Sequence, residues 1–148
     1  MNKTIIWATD GSEDAVRALP TALELARDGK LIVVHADERL GGRPGNVPAL
    51  ADEDELQAGM RAKVRELKEL GIAATFEVVH GTNRDPADLI AEAAVNEDAD
   101  MIVVGTRGHG RVAGMLLGSV TQRLLHVAPC PVVAVPPQVE ASTPAGTR

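Results

Sequence analysis

The chain of 148 residues is nearly without aromatic side chains: Trp7 and Phe76 are the only two, and tyrosine is missing. Its core must therefore be filled by Val, Leu, Ile and Ala, and the stacked aromatic platforms that bind single-stranded nucleic acid are excluded. A basic excess is lacking as well. With a formal net charge of -6, the chain offers no broad cationic face to a phosphate backbone, so nucleic acid is not an expected partner. Cysteine occurs once, at Cys130, which excludes an intrachain disulfide and suits a reducing compartment. Lying in an apolar run between Pro129 and Pro131, that thiol is expected to be buried and inert. No apolar run reaches the roughly 20 residues of a membrane span, and the short N-terminal run that ends at Asp10 is too brief for a secretory signal. The expectation is a cytoplasmic protein with no membrane contact. One domain over residues 1–137 fills this length, followed by a disordered tail over residues 138–148.

What the chain does have is apolar runs alternating with helical periodicity. Residues 4–9 read as a strand, and the Asp10-Gly11-Ser12 turn after them leads into a helix capped by Ser12. That helix is expected over residues 13–27, with a bend at Pro20 and an end at Gly29. Residues 31–36 are rich in β-branched side chains without alternation, as in a parallel strand covered on both faces. Residues 37–50, with three glycines and two prolines, read as a loop. A helix with Leu56, Met60, Val64 and Leu67 on one side follows and stops at Gly71. A third strand over residues 74–80 precedes Asp85-Pro86, an N-cap with proline at the first helical position, which opens a helix burying Leu89, Ile90, Ala93 and Ala94. Residues 101–104 form strand four. A helix from about Ser119 carries Val120, Leu124 and Val127 at i, i+4 and i+7, and the strand Val132–Val135 closes the domain.

Five strands alternating with four helices predict an α/β fold: an open, mainly parallel five-stranded sheet with helices on both faces, of the Rossmann-like, nucleotide-binding kind. Such sheets bind ligands beyond the carboxyl ends of their strands, where strand order reverses. Asp10 and Gly105 stand at the ends of strands one and four. After Gly105 comes a glycine-rich stretch, Gly105-Thr106-Arg107-Gly108-His109-Gly110-Arg111, which continues through Gly114 to Gly118-Ser119-Val120. Glycines let a phosphate approach backbone N–H groups, and the amides at the start of the following helix, with the Ser119 hydroxyl, point partial positive charge at an anion. Arg107, His109 and Arg111 add charge.

Gly105, Gly108, Gly118 and Ser119 fall at the spacing glycine, two residues, glycine, nine residues, glycine, serine. With the Thr9-Asp10-Gly11-Ser12 turn, the His35-Ala36 strand end and Pro129-Cys130-Pro131 before the last strand, the chain resembles the ATP-binding branch of the universal stress protein family over residues 3–136. The resemblance implies that Asp10 holds the adenosine end of ATP, with the backbone at Ala8 and Ala36 lining the adenine pocket. Gly105, Thr106 and Gly108 would follow the ribose and phosphates, and Gly118, Ser119 and Val120 would take the terminal phosphates. A Mg²⁺ or Mn²⁺ would be held mainly by phosphate oxygens. It also implies a stress-response regulatory role and a homodimer pairing through Val132–Val135. Pro20 and the residues 37–50 depart from the usual family pattern.

The parts of an efficient phosphotransferase are thin. There is no G-x-x-x-x-G-K-[ST] loop, no lysine after Lys68 and no carboxylate between Asp100 and Glu140. The chain therefore reads as a binding module rather than a catalyst. The alternatives are a slow ATP hydrolase, an autophosphorylating transferase acting on Ser119 or Thr121, and a dimeric interaction module without nucleotide. His35, His80 and His126 share no metal-ligand spacing with a carboxylate or with Cys130, and no structural metal is expected. The acidic residues 52–55 suit the start of a helix and are assigned no chemistry.

Overall fold

A computed structural model describes residues 2–39, 53–107 and 117–137. Five parallel strands, β1 (Thr4–Ala8), β2 (Lys30–Arg39), β3 (Ala74–Thr82), β4 (Met101–Gly105) and β5 (Val132–Val135), form one sheet in the order β3-β2-β1-β4-β5. The chain runs outward from β1 to β2 and β3, then crosses back to lay β4 on the other side of β1. Strand order therefore reverses between β1 and β4, as the alternation of elements predicts.

Both faces of the sheet are buried, which is why its strands read as continuous apolar runs. Period two sorts the side chains: Ile5, Trp7, Leu31, Val33 and Val103 face one side, and Ile6, Ala8, Ile32, Val34, Ile102 and Val104 the other. The first side is covered by α1 (Glu13–Arg17), α2 (Leu19–Leu25) and α3 (Glu53–Glu69), through Ala18, Leu19, Ala22, Val64 and Leu67. The second is covered by α4 (Pro86–Asn96) and α5 (Ser119–Val127), through Ala87, Ile90, Ala93, Ala94 and Leu124. Trp7, the only tryptophan, meets its need for a partner inside this apolar layer by donating from Nε1 to the Ala15 carbonyl at 2.9 Å.

Several boundaries differ from the sequence expectation, each for a local reason. The first helix is broken rather than bent: Ala18 ends α1 and caps α2, so Pro20 falls in the first turn of α2, where its missing N–H breaks no helical bond. The chain thus has five described helices, not four. Gly29 does not end α2, which stops at Leu25 with Ala26 as its cap. A Cβ on Gly29 would lie 1.9 Å from the Lys3 carbonyl oxygen, so this glycine permits the close approach of the chain entering β1. β2 runs on through Asp37 to Arg39, paired with β3 at Asp37↔His80 and Arg39↔Thr82, so the expected loop does not begin at Asp37. The rest of that loop, and the tail over residues 138–148, lie outside the described residues. Ser12 and Asp85 cap α1 and α4 as expected, accepting from the amides of Ala15 and Ala87.

Glu77, on β3, is partly buried beside Glu97 at the end of α4, and its carboxyl is pushed above the ordinary carboxylate range by burial first and by Glu97 second. A carboxyl whose folded pKa is raised adds stability only below its unfolded pKa and loses it as pH rises through the folded value. Glu77→Gln is therefore expected to raise the melting temperature slightly at pH 7, with the gain shrinking toward zero below about pH 4. Thermal unfolding at the two pH values checks this.

Candidate functional site

At the carboxyl ends of β1, β2 and β4 the structure opens a cavity of about 430 Å³. It is lined by Ala8, Thr9, Ala36 and Gly105 from the sheet and by Gly118, Ser119 and Val120 at the start of α5. This is the switch point between β1 and β4, the place where an open α/β sheet binds its ligand.

The β1 side is fixed by a tight turn. Gly11, at φ +79°, lets its amide donate to Thr9 Oγ1 at 3.1 Å, and the Ser12 amide donates to Asp10 Oδ1 at 2.9 Å. A Cβ on Gly11 would also strike Leu56 of α3, 2.2 Å away. Asp10 thus does two things at once: it shapes the turn and it lines the cavity.

The β4 side depends on Gly105. A Cβ there would lie 2.6 Å from the Asp14 carbonyl oxygen and 3.0 Å from the Ala15 amide nitrogen, so α1 rests directly on this glycine. Its position in the motif has a packing reason independent of any ligand. Arg107, two residues on, lines the cavity, and its Nε lies 3.7 Å from Asp14 Oδ2. Thr106 is buried, and its carbonyl accepts from the Gly118 amide at 2.6 Å, which ties the exit of β4 to the entry of α5.

The start of α5 faces the cavity. Its N-cap is Gly118, with φ −73° and ψ 165°, and among the described residues no side chain caps it, whereas Ser12 and Asp85 cap α1 and α4. First-turn amides without a capping side chain are the donors that anions take at helix starts. Ser119 is exposed beside them. The Thr121 hydroxyl, by contrast, is buried and donates to the Gly105 carbonyl at 2.8 Å. That bond ties α5 to β4, and Thr121 also lines the cavity.

Of the sequence-derived site residues, Ala8, Asp10, Ala36, Gly105, Arg107, Gly118, Ser119 and Val120 line this cavity, and the Thr106 carbonyl ties β4 to the start of α5. Gly108, His109 and Arg111 lie outside the described residues. Four residues escaped the sequence reading. Asp85 lines the cavity from the start of α4. His35, 2% exposed, also lines it, with Nδ1 3.0 Å from the Thr9 carbonyl and Nε2 2.5 Å from Glu53 Oε1. Since a carbonyl only accepts, Nδ1 carries the proton in the first bond. Glu53, assigned to a solvated helix start, is 4% exposed, and its Oε1 also accepts from Gln57. Asp14, in the first turn of α1, is buried against Arg17 and Arg107. The partners that set these residues apart lie far away in sequence, and only Asp14 with Arg17, at i and i+3, and Glu53 with Gln57, at i and i+4, leave a local signal. Cys130 is half-buried rather than fully buried, and burial pushes its thiol above the ordinary range, away from reactivity.

A universal stress protein of Thermus aquaticus is 35% identical over 145 residues, spanning 91% of this chain and 99% of the relative. A solved universal stress protein in complex with cAMP is 30% identical, with a TM-score of 0.63 over 90% of this chain and 96% of that one. A solved universal stress protein from Archaeoglobus fulgidus is 27% identical, with a TM-score of 0.69 over 90% and 93%. The universal stress protein family matches residues 1–136, and the chain belongs to that family.

Proposed function

We propose that the chain is an ATP-binding universal stress protein, a regulatory module whose nucleotide occupancy, rather than its turnover, carries the signal. The observation that bears most weight is the α5 start, whose amides have no side-chain cap among the described residues, opening onto a cavity at the switch point of the sheet. Backbone at Ala8 and Ala36 suits the flat apolar base, and Asp10 the ribose hydroxyls. Ser119, Val120 and Arg107 suit the phosphates. The related protein solved with cAMP, an adenine nucleotide, supports the same class of ligand here. Among the described residues no group of three or more His, Cys, Asp or Glu is placed to hold a metal, so a Mg²⁺ or Mn²⁺ arriving with ATP would rest mainly on phosphate oxygens. Occupancy regulates only by binding two states with different affinity. A dimer formed along β5, a half-exposed edge of the sheet, is the second state proposed. Any phosphoryl transfer within the chain would fall on Ser119, the exposed hydroxyl of the pair considered.

Purified without added nucleotide, the protein is expected to release ATP on denaturation. If it is purified empty, ATP with Mg²⁺ at about a hundred times its Kd should raise the melting temperature by roughly 5–10 °C. Gly118→Ala is compatible with the backbone angles at that residue, and is expected to weaken ATP binding by on the order of tenfold while costing about 1 kcal/mol of stability at the helix cap. Recovery of ADP with a slow rise in free phosphate would favour the hydrolase. No released nucleotide and no thermal shift would leave the dimeric interaction module.

A further inference from the structure

We propose that Asp14 is the positioning residue for Arg107, holding its guanidinium ready for the phosphates of the bound nucleotide; the proposal rests on the nucleotide reading above. The Asp14 side chain is 0% exposed, and a carboxylate withdrawn from water needs cations or hydrogen-bond donors in place of its hydration. Two cations take that place here. Arg17 Nη1 lies 3.1 Å from Oδ1, an i to i+3 pair within α1 and its C-terminal end. Arg107 Nε lies 3.7 Å from Oδ2 and arrives from beyond β4. The second contact is possible because Gly105 lacks a Cβ, which lets the backbone of Asp14 settle onto the end of β4.

The geometry has two consequences for a ligand. Asp14 engages Arg107 through Nε, which leaves the two terminal nitrogens, the pair that grips phosphate oxygens as a fork, for the cavity that Arg107 lines. Arg17 is shared with Glu13, 3.9 Å away, so its charge is balanced within α1, and Arg107 is the cation that lines the cavity among the described residues, which favours di- and triphosphates over uncharged nucleosides. Asp14 itself lines none of the cavity, so its influence on a ligand passes through Arg107.

A double-mutant cycle read with two ligands tests this. Affinities for ATP with Mg²⁺ and for adenosine are measured by calorimetry on the wild type, Asp14→Asn, Arg107→Gln and the double variant, with the unliganded melting temperature of each. Asp14→Asn and Arg107→Gln should each weaken ATP about tenfold and leave adenosine within twofold, and the double variant should lose no more than Arg107→Gln alone. Additive losses, equal losses for ATP and adenosine, or tighter ATP binding in Asp14→Asn would overturn the proposal. If Asp14→Asn fails to fold, Arg107→Gln decides alone, since Arg107 is partly exposed: unchanged ATP affinity overturns the proposal. A wild type that binds neither ligand overturns the nucleotide reading and this proposal with it, whereas a wild type that binds ATP with an additive cycle overturns this proposal only.

Discussion

Gly105→Ala is expected to cost about 3 kcal/mol of folding stability, a fall of roughly 10 °C in melting temperature for a domain of this size. The added methyl would meet backbone, the Asp14 carbonyl oxygen at 2.6 Å and carbon at 2.7 Å, and backbone cannot turn aside as a side-chain end can. The strain can be relieved only by moving α1 off β4, which would also separate Arg107 from Asp14 and reshape the cavity wall. Gly59, inside α3, gives the control, because a Cβ there meets nothing within 4 Å. Gly59→Ala should instead stabilise the protein by about 0.5–1 kcal/mol through helix propensity. Chemical denaturation of the two variants beside the wild type checks both signs. Equal stability for Gly105→Ala and wild type would mean that α1 does not rest on β4 as described.

Glu53→Ala is the second large effect, about 3 kcal/mol. The substitution leaves the buried His35 Nε2 without its partner and removes the acceptor used by Gln57. Its neighbour Glu55 occupies the same first turn of α3 but is exposed, so Glu55→Ala loses only a few tenths of a kcal/mol of helix-dipole interaction. The comparison separates a carboxylate bonded inside the protein from one that suits a helix start. Unfolding in urea reads the difference, and a loss for Glu53→Ala no larger than that for Glu55→Ala would contradict the buried pair. Because His35 lines the cavity and bonds the Thr9 carbonyl, Glu53→Ala should also loosen the β1 end of the site.

The contrast between Glu53 and Glu55 shows where the sequence stops being legible. The strands could be read because both faces of the sheet are covered, so each strand is an unbroken apolar run, and Asp85-Pro86 and Ser12 announce their helices by local chemistry that does not depend on the fold. Asp10 and Gly105 could be placed at one site because topology brings the ends of β1 and β4 together, and Gly118 and Ser119 join them through the spacing of the glycine motif and the resemblance it carries. Glu53 could not be told from its acidic neighbours, since what distinguishes it is His35, eighteen residues earlier on a different element. Asp14 was hidden in the same way behind a contact with Arg107. Gly29 reads locally as a helix end, whereas the tertiary approach of Lys3 explains it; Gly105, which opens the glycine-rich stretch, carries the approach of α1 as well, which no local pattern announces. Pro20 reads locally as an interior proline that bends a single helix, but the chain avoids that cost by starting a new helix just before it.

The most direct test of the central claim is a titration of isotopically labelled protein with ATP and Mg²⁺, followed through its backbone amide resonances. Binding at the switch point should shift Thr9, Asp10, Gly105, Ser119 and Val120, while Thr4, Lys30 and the amides of α2, at the opposite end or away from the cavity, stay in place. Amide shifts confined to the Thr4 and Lys30 end of the sheet, or none at millimolar ATP, would contradict nucleotide binding at this site.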